Sequence, residues 1–143
     1  MIKKLIFIMV LLLAGCTKSE WSTVTLLADG KEIPVQVEIA DEAAEWQQGL
    51  MFREELGADK GMLFIFGEEM TQRFWMKNTL IPLDMVFIDA DNVIVDIQEA
   101  EPCRTESCIV YVSAAPAQYV LEVNKGFSKE NGINVGDLLI LEK

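Results

Sequence analysis

The sequence predicts an α+β domain dominated by a mostly antiparallel, barrel-like β-sheet with two short helices. Three observations lead there. β-branched and apolar runs of strand length recur along the chain, turn residues separate them, and only two short stretches carry helix-start and helix-stop residues. The chain has 143 residues and no long Gly/Pro/Ser linker, so one core is expected rather than two.

The first fifteen residues stand apart from that core. Lys3 and Lys4 form a positive n-region, Leu5 to Leu13 an apolar h-region too short to span a bilayer, and the small residues Ala14 and Gly15 follow. Residues 1–15 therefore read as a signal peptide. Leu13-Ala14-Gly15-Cys16 resembles the bacterial lipobox, in which the cysteine is acylated and becomes the first mature residue. Residues 16–21 would then be a lipid-anchored tether, and residues 22–143 the globular domain. Loss of Lys3 and Lys4 with the leader makes the mature chain more acidic by two charges than the full chain, whose net charge is −11. Such a chain repels nucleic acid and anionic headgroups, so membrane attachment would come from acyl chains on Cys16 and not from a basic patch. Thr17 stands where lipoproteins retained at the inner membrane have Asp. The expected location is the cell envelope, on the periplasmic side of the outer membrane in an organism with two membranes.

Within the domain, Thr23 to Ala28 and Ile33 to Ile39 flank Asp29-Gly30, two residues that tolerate positive φ, which predicts an antiparallel hairpin. Asp41 reads as the N-cap of a short helix ending at Gln48, with Glu42 and Glu45 near its positive end and Gly49 as its stop. Met62 to Phe66 is an apolar run suited to a strand buried on both faces. From Arg73 a period of two places Arg73, Trp75 and Lys77 on one face and Phe74 and Met76 on the other. Asn78-Thr79 suits a turn, and Pro82 the start of the next strand. There Leu83, Met85 and Phe87 alternate with Asp84, Val86 and Ile88. Asp84 thus shares a face with branched apolar residues and needs a partner, because an unpaired buried carboxylate costs several kcal/mol. Lys77, Arg53, Asn78 and the turn's own N–H groups are the candidates.

Asp89 to Asn92 predicts a turn between strands. An EF-hand is excluded there, because the loop's central Gly and terminal Glu are missing. Val93 to Gln98 continues as a strand. Gln118 to Val123 is another, Gly126 to Gly132 one or two helical turns with Asn124 or Ser128 near the start, and Leu138 to Leu141 the closing strand after a Val135-Gly136-Asp137 turn. With Cys16 assigned to the lipid, Cys103 and Cys108 remain as an even pair across a polar loop, and a disulfide is expected, worth about 2 kcal/mol. A redox pair or half a zinc site fits poorly, given four intervening residues and no further thiolate.

Gly49-Leu50-Met51-Phe52-Arg53, Gly61-Met62-Leu63-Phe64, the run from Phe74 to Asp84, Glu101-Pro102-Cys103 and Tyr119 to Val123 together resemble the prokaryotic family called domain of unknown function 192. The resemblance covers nearly the whole mature domain. It implies a compact, strand-rich single domain, often exported, with no agreed activity. The family pattern often has proline directly after the second cysteine, where this chain has Ile109, a departure that bears on the loop's conformation.

The chain contains no histidine, which excludes Ser-His-Asp, Cys-His and His-rich metal sites. No metal and no cofactor is expected. The five methionines from Met51 to Met85 lack the clustering of a thioether copper site and read as core filling. The main functional expectation is a binding module. Arg53, Arg73, Trp75, Lys77, Asn78, Thr79 and Asp84 offer an aromatic plate, cations and directional donors suited to a small polar, anionic or glycan ligand. A second reading is a hydrolase or lyase acting on an envelope glycan, with Asp84 and Lys77 as its acid–base pair and Glu122 as a further carboxylate. A third is a module for protein interaction in the envelope. Beside these stands a structural reading, in which Trp75 caps the core under the Lys77 and Arg73 stems and Asp84 is a buried partner.

Overall fold

The computed structural model describes residues 21–141. The expected signal peptide, the lipidation site Cys16 and the tether as far as residue 20 lie outside these residues. Alternation of buried and exposed positions builds the elements in the order β1 (Ser22–Ala28), β2 (Lys31–Ala40), α1 (Ala43–Gln48), β3 (Lys60–Met70), β4 (Arg73–Trp75), β5 (Leu83–Ile88), β6 (Ile94–Ala100), β7 (Val110–Val112), β8 (Ala117–Asn124), α2 (Phe127–Asn131) and β9 (Leu138–Leu141).

Seven strands form one sheet in the order β6-β5-β8-β3-β2-β1-β9, and β4 and β7 form a separate two-stranded ribbon. Every pairing is antiparallel except β2 with β3, which run parallel because α1 carries the chain back between them. The edges of the long sheet approach each other: Val93 bridges Leu138, and the Leu139 N–H donates to the Asn92 carbonyl at 2.9 Å. The sheet is therefore a curled half-barrel, and the barrel-like α+β expectation holds. At the first hairpin Asp29 and Gly30 both take positive φ, 49° and 72°, as that two-residue turn requires.

The curl divides the apolar side chains into two cores. Val24, Leu26, Val35, Leu63, Val86, Leu121 and Leu139 fill the inside. Leu50, Met62, Phe64, Met76, Met85, Phe87 and Val120 lie on the other face, under α1, the loop after it and the ribbon. All six β5 residues are buried, because alternate side chains enter alternate cores.

Some local details differ from the sequence expectations. The N-cap of α1 is Glu42, not Asp41, and the Glu45 carboxylate accepts from both the Asp41 and Glu42 N–H groups, at 3.0 and 3.1 Å. The longer Glu side chain reaches back across the first turn and makes Asp41's own side chain redundant. The expected helical turn within 126–132 is α2, with Ser128 in its first turn and Gly126, in the left-handed conformation, as its N-cap. The ribbon strand Val110–Val112 has no counterpart among the expected strands. It forms because β4 breaks away from the main sheet and takes β7 as its strand partner.

Candidate functional site

The run from Arg73 to Thr79 crosses the rim of the second core. In β4 the side chains alternate as the sequence requires: Phe74 turns inward and meets Phe64 edge to face at 5.0 Å between ring centroids, while Arg73 and Trp75 face out. Met76 is buried, and its carbonyl accepts from Thr79 at 3.2 Å and from Cys103 at 3.3 Å. The Asn78 carbonyl accepts from the Phe52 N–H at 2.8 Å. The turn is thus held from two sides, by the loop after α1 and by the loop that the Cys103–Cys108 disulfide closes. Asn78 and Phe52 both take positive φ, 57° and 64°. Asn tolerates that region, but a Phe there is strained by about 1 kcal/mol or more, so the surrounding contacts impose the conformation.

Beneath this rim lies a cavity of about 130 Å³. Leu50, Phe64, Phe66 and Phe74 form its apolar wall, Trp46, Gln47 and Gln48 reach it from α1, and Arg73, Trp75 and Thr79 line it from the rim. Trp46 is fixed by a hydrogen bond from its Nε1 to the Ala40 carbonyl, 3.0 Å, and by a tilted contact with Phe66. A wider depression of about 540 Å³ adjoins it, lined by Trp46, Met51, Trp75, Lys77 and Asn78. Trp75 stands between the two at 50 % exposure, with the Lys77 Nζ 5.3 Å from its ring centroid.

Glu122 also lines the inner cavity. It comes from β8, where its cross-strand neighbours are Met62 and Met85, and its exposure is 5 %. Burial alone pushes its carboxyl up to about pKa 8, because an apolar surround disfavours the charged form. At neutral pH it is a neutral acid, able to donate a hydrogen bond.

Of the seven residues expected to bind ligand, Arg73, Trp75, Lys77, Asn78 and Thr79 come together around these two hollows. Arg53 and Asp84 line neither. Arg53 makes a two-pronged pair with Glu38, at 2.8 and 2.7 Å. That bond raises the guanidinium pKa further above its ordinary value. Asp84, 1 % exposed, has its oxygens on the N–H groups of Gly126 and Ser128, at 3.0 and 2.9 Å. It caps α2 from a neighbouring strand, and none of its four expected partners is the real one. Asp84 pairs with Val123 and Met85 with Glu122, so the two carboxyl groups point to opposite faces of the sheet. The acid–base arrangement of the hydrolase reading is not assembled by this geometry. Trp46, Phe66, Gln72 and Glu122 were absent from the expected binding set. For Glu122 the signal was present, as a lone charge inside the apolar run Tyr-Val-Leu-Glu-Val. Cys103 and Cys108 are bonded, as expected. Among the described residues no three His, Cys, Asp or Glu side chains are grouped to hold a metal ion.

Fold and site together define a small half-barrel domain with an aromatic cavity closed on a buried acid. The chain matches the DUF192 family model, described as an uncharacterized ACR, over residues 24–141, and it belongs to that family. It is 28 % identical over 112 residues to UPF0127 protein PF1050 of Pyrococcus furiosus, covering 77 % of this chain and 90 % of that one. A solved structure from Sinorhizobium meliloti 1021, of a protein suggested to be a transcription regulator, is 40 % identical with a TM-score of 0.78, covering 85 % of this chain and 93 % of that one. A protein of unknown function from Novosphingobium aromaticivorans DSM 12444 is 33 % identical with a TM-score of 0.79, covering 87 % and 88 %.

Proposed function

We propose that this domain is an extracytoplasmic, lipid-anchored binding module that takes a small polar, anionic or glycan ligand on the surface from Arg73 to Thr79. The observation that carries the reading is Trp75. A half-exposed indole at the mouth of a preformed cavity, with Lys77 over its ring and Arg73 beside it, matches what a sugar or acid ligand needs: a flat apolar plate and nearby cations. The anchor rests on the Leu13-Ala14-Gly15-Cys16 motif. Direct binding of nucleic acid fits poorly with a net charge of −11.

The test is a thermal-shift screen against cell-wall sugars, uronic acids, nucleotides and metal ions, with Trp75→Ala in parallel. A ligand at about a hundred times its dissociation constant adds roughly 2.7 kcal/mol, a shift of several degrees for a domain of this size. The expected result is a shift with a sugar or sugar acid that vanishes in the variant. A second reading rests on the ribbon's outer face, where Val110 and Val112 lie across from Trp75 and Arg73 and the neighbouring Ile109 is 71 % exposed. If no small molecule shifts the melting temperature, this apolar face supports a protein partner in the envelope instead.

A further inference from the structure

The inner cavity presents a group that ligand-free folding does not explain. Glu122 is buried between its apolar cross-strand neighbours Met62 and Met85, and among the described residues no hydrogen bond to its carboxyl offsets its burial, which is the whole cause of its perturbation. The elements packed around it bring almost no charge. β3 and β5 present Met62 and Met85, α1 presents Gln47 and Gln48, the turn presents Thr79, Gln72 lies before β4, and among the described residues Arg73 from β4 is the only other ionisable group lining the cavity. A polar side chain in this position, aimed into a hollow that opens beside Trp75, has the form of a recognition group awaiting an acceptor.

We propose that Glu122 donates a hydrogen bond to the carboxylate of a small organic acid, a sugar acid being the fitting class, that enters the inner cavity between Trp75 and Arg73. This rests on the binding reading above and narrows it to an acidic ligand. Size agrees, since a cavity of about 130 Å³ is close to one of about 150 Å³ that accepts a single benzene ring. It therefore admits the carboxylate end of such an acid, while the rest of the sugar lies in the wider depression beside Trp75. Charge agrees as well: a neutral acid and a guanidinium both favour an incoming carboxylate, whereas an ionised Glu122 would repel it. The expected pH response follows. A uronate stays ionised from about pH 6 to about pH 9.5, whereas the buried Glu122 carboxyl loses its proton within that range.

The experiment is calorimetric titration of the full chain in detergent with glucuronate, glucuronamide and glucose, at about pH 6 and about pH 9.5. Glucuronate is expected to bind at the lower pH and to weaken by about tenfold or more at the higher. Glu122→Gln, whose amide still donates, should keep the binding and lose the pH dependence. Glu122→Leu should abolish binding at both. The proposal is overturned if glucuronate binds equally at both pH values, or if Glu122→Leu leaves it intact. Glucose or glucuronamide binding as well as glucuronate, and depending on Trp75, would overturn the acidic-ligand proposal while the binding module stands. Failure of all three to bind overturns the acidic-ligand proposal, and the broad screen then judges the binding module separately.

Discussion

Two buried carboxyl groups one strand apart meet opposite fates. Asp84 receives two backbone N–H groups and works as the cap of α2, whereas Glu122 receives none and stays neutral at pH 7. Each fate has its own signature in stability. Glu122 keeps its proton in the folded state up to about pH 8, against an ordinary value of 4.5. Its contribution is fully present below the lower value and is lost as pH rises through the window between the two. Within that window each pH unit costs the fold about 1.4 kcal/mol. Denaturant unfolding of the wild type should weaken from pH 5 to pH 8, and Glu122→Gln should flatten that slope. Asp84→Ala should destabilise the domain at neutral pH by about 2 kcal/mol or more, since it strands one buried and one partly buried donor. Ligand affinity of the folded fraction should be unchanged. Arg53→Ala should cost no more than about 1 kcal/mol, because its pair with Glu38 is partly solvated. The demand that Asp84 find a partner followed from its strand periodicity, but the partner did not, because Gly126 and Ser128 lie 42 and 44 residues away.

Elements were readable where one local rule decided them. The Asp29-Gly30 hairpin, the alternation through β5 and the polar turn at Asp89 all appear as expected, with the Asp89 carboxylate accepting from Asp91 and Val93 at 2.9 and 2.8 Å. The alternation of β4 was readable, but its partner β7 was not, because a three-residue strand far along the chain carries too little pattern. Nor was the reason for the Gly61-Met62-Leu63-Phe64 motif. A Cβ on Gly61 would lie 2.5 Å from the Glu122 carbonyl oxygen on β8, so only glycine lets the two strands close at the cavity. Gly61→Ala should therefore destabilise the fold by about 2 kcal/mol or more in thermal or denaturant unfolding, and it should disturb Glu122 first.

The topology of the whole molecule explains why the candidate site residues needed a structure to assemble them. Rim residues from β4, a helix inserted between parallel strands and an acid from β8 meet only because the sheet curls and the ribbon folds over its outer face. The sequence motifs lined up along the chain without showing that they share one hollow. At this scale the proposed lipid anchor makes a separate prediction. Cys16→Ala should move the protein from the membrane fraction to the soluble fraction and abolish incorporation of labelled fatty acid, while the domain's melting temperature stays the same. Continued membrane association of that variant would remove the anchor from the account. Whether the hollow beside Trp75 is a ligand site is decided by an amide and side-chain chemical-shift map. With sugar acids and neutral sugars titrated in turn, saturable shifts should centre on Arg73, Trp75, Thr79 and Glu122 for at least one of them. Shifts that centre elsewhere, or no saturable shift with any of them, would contradict a ligand site there.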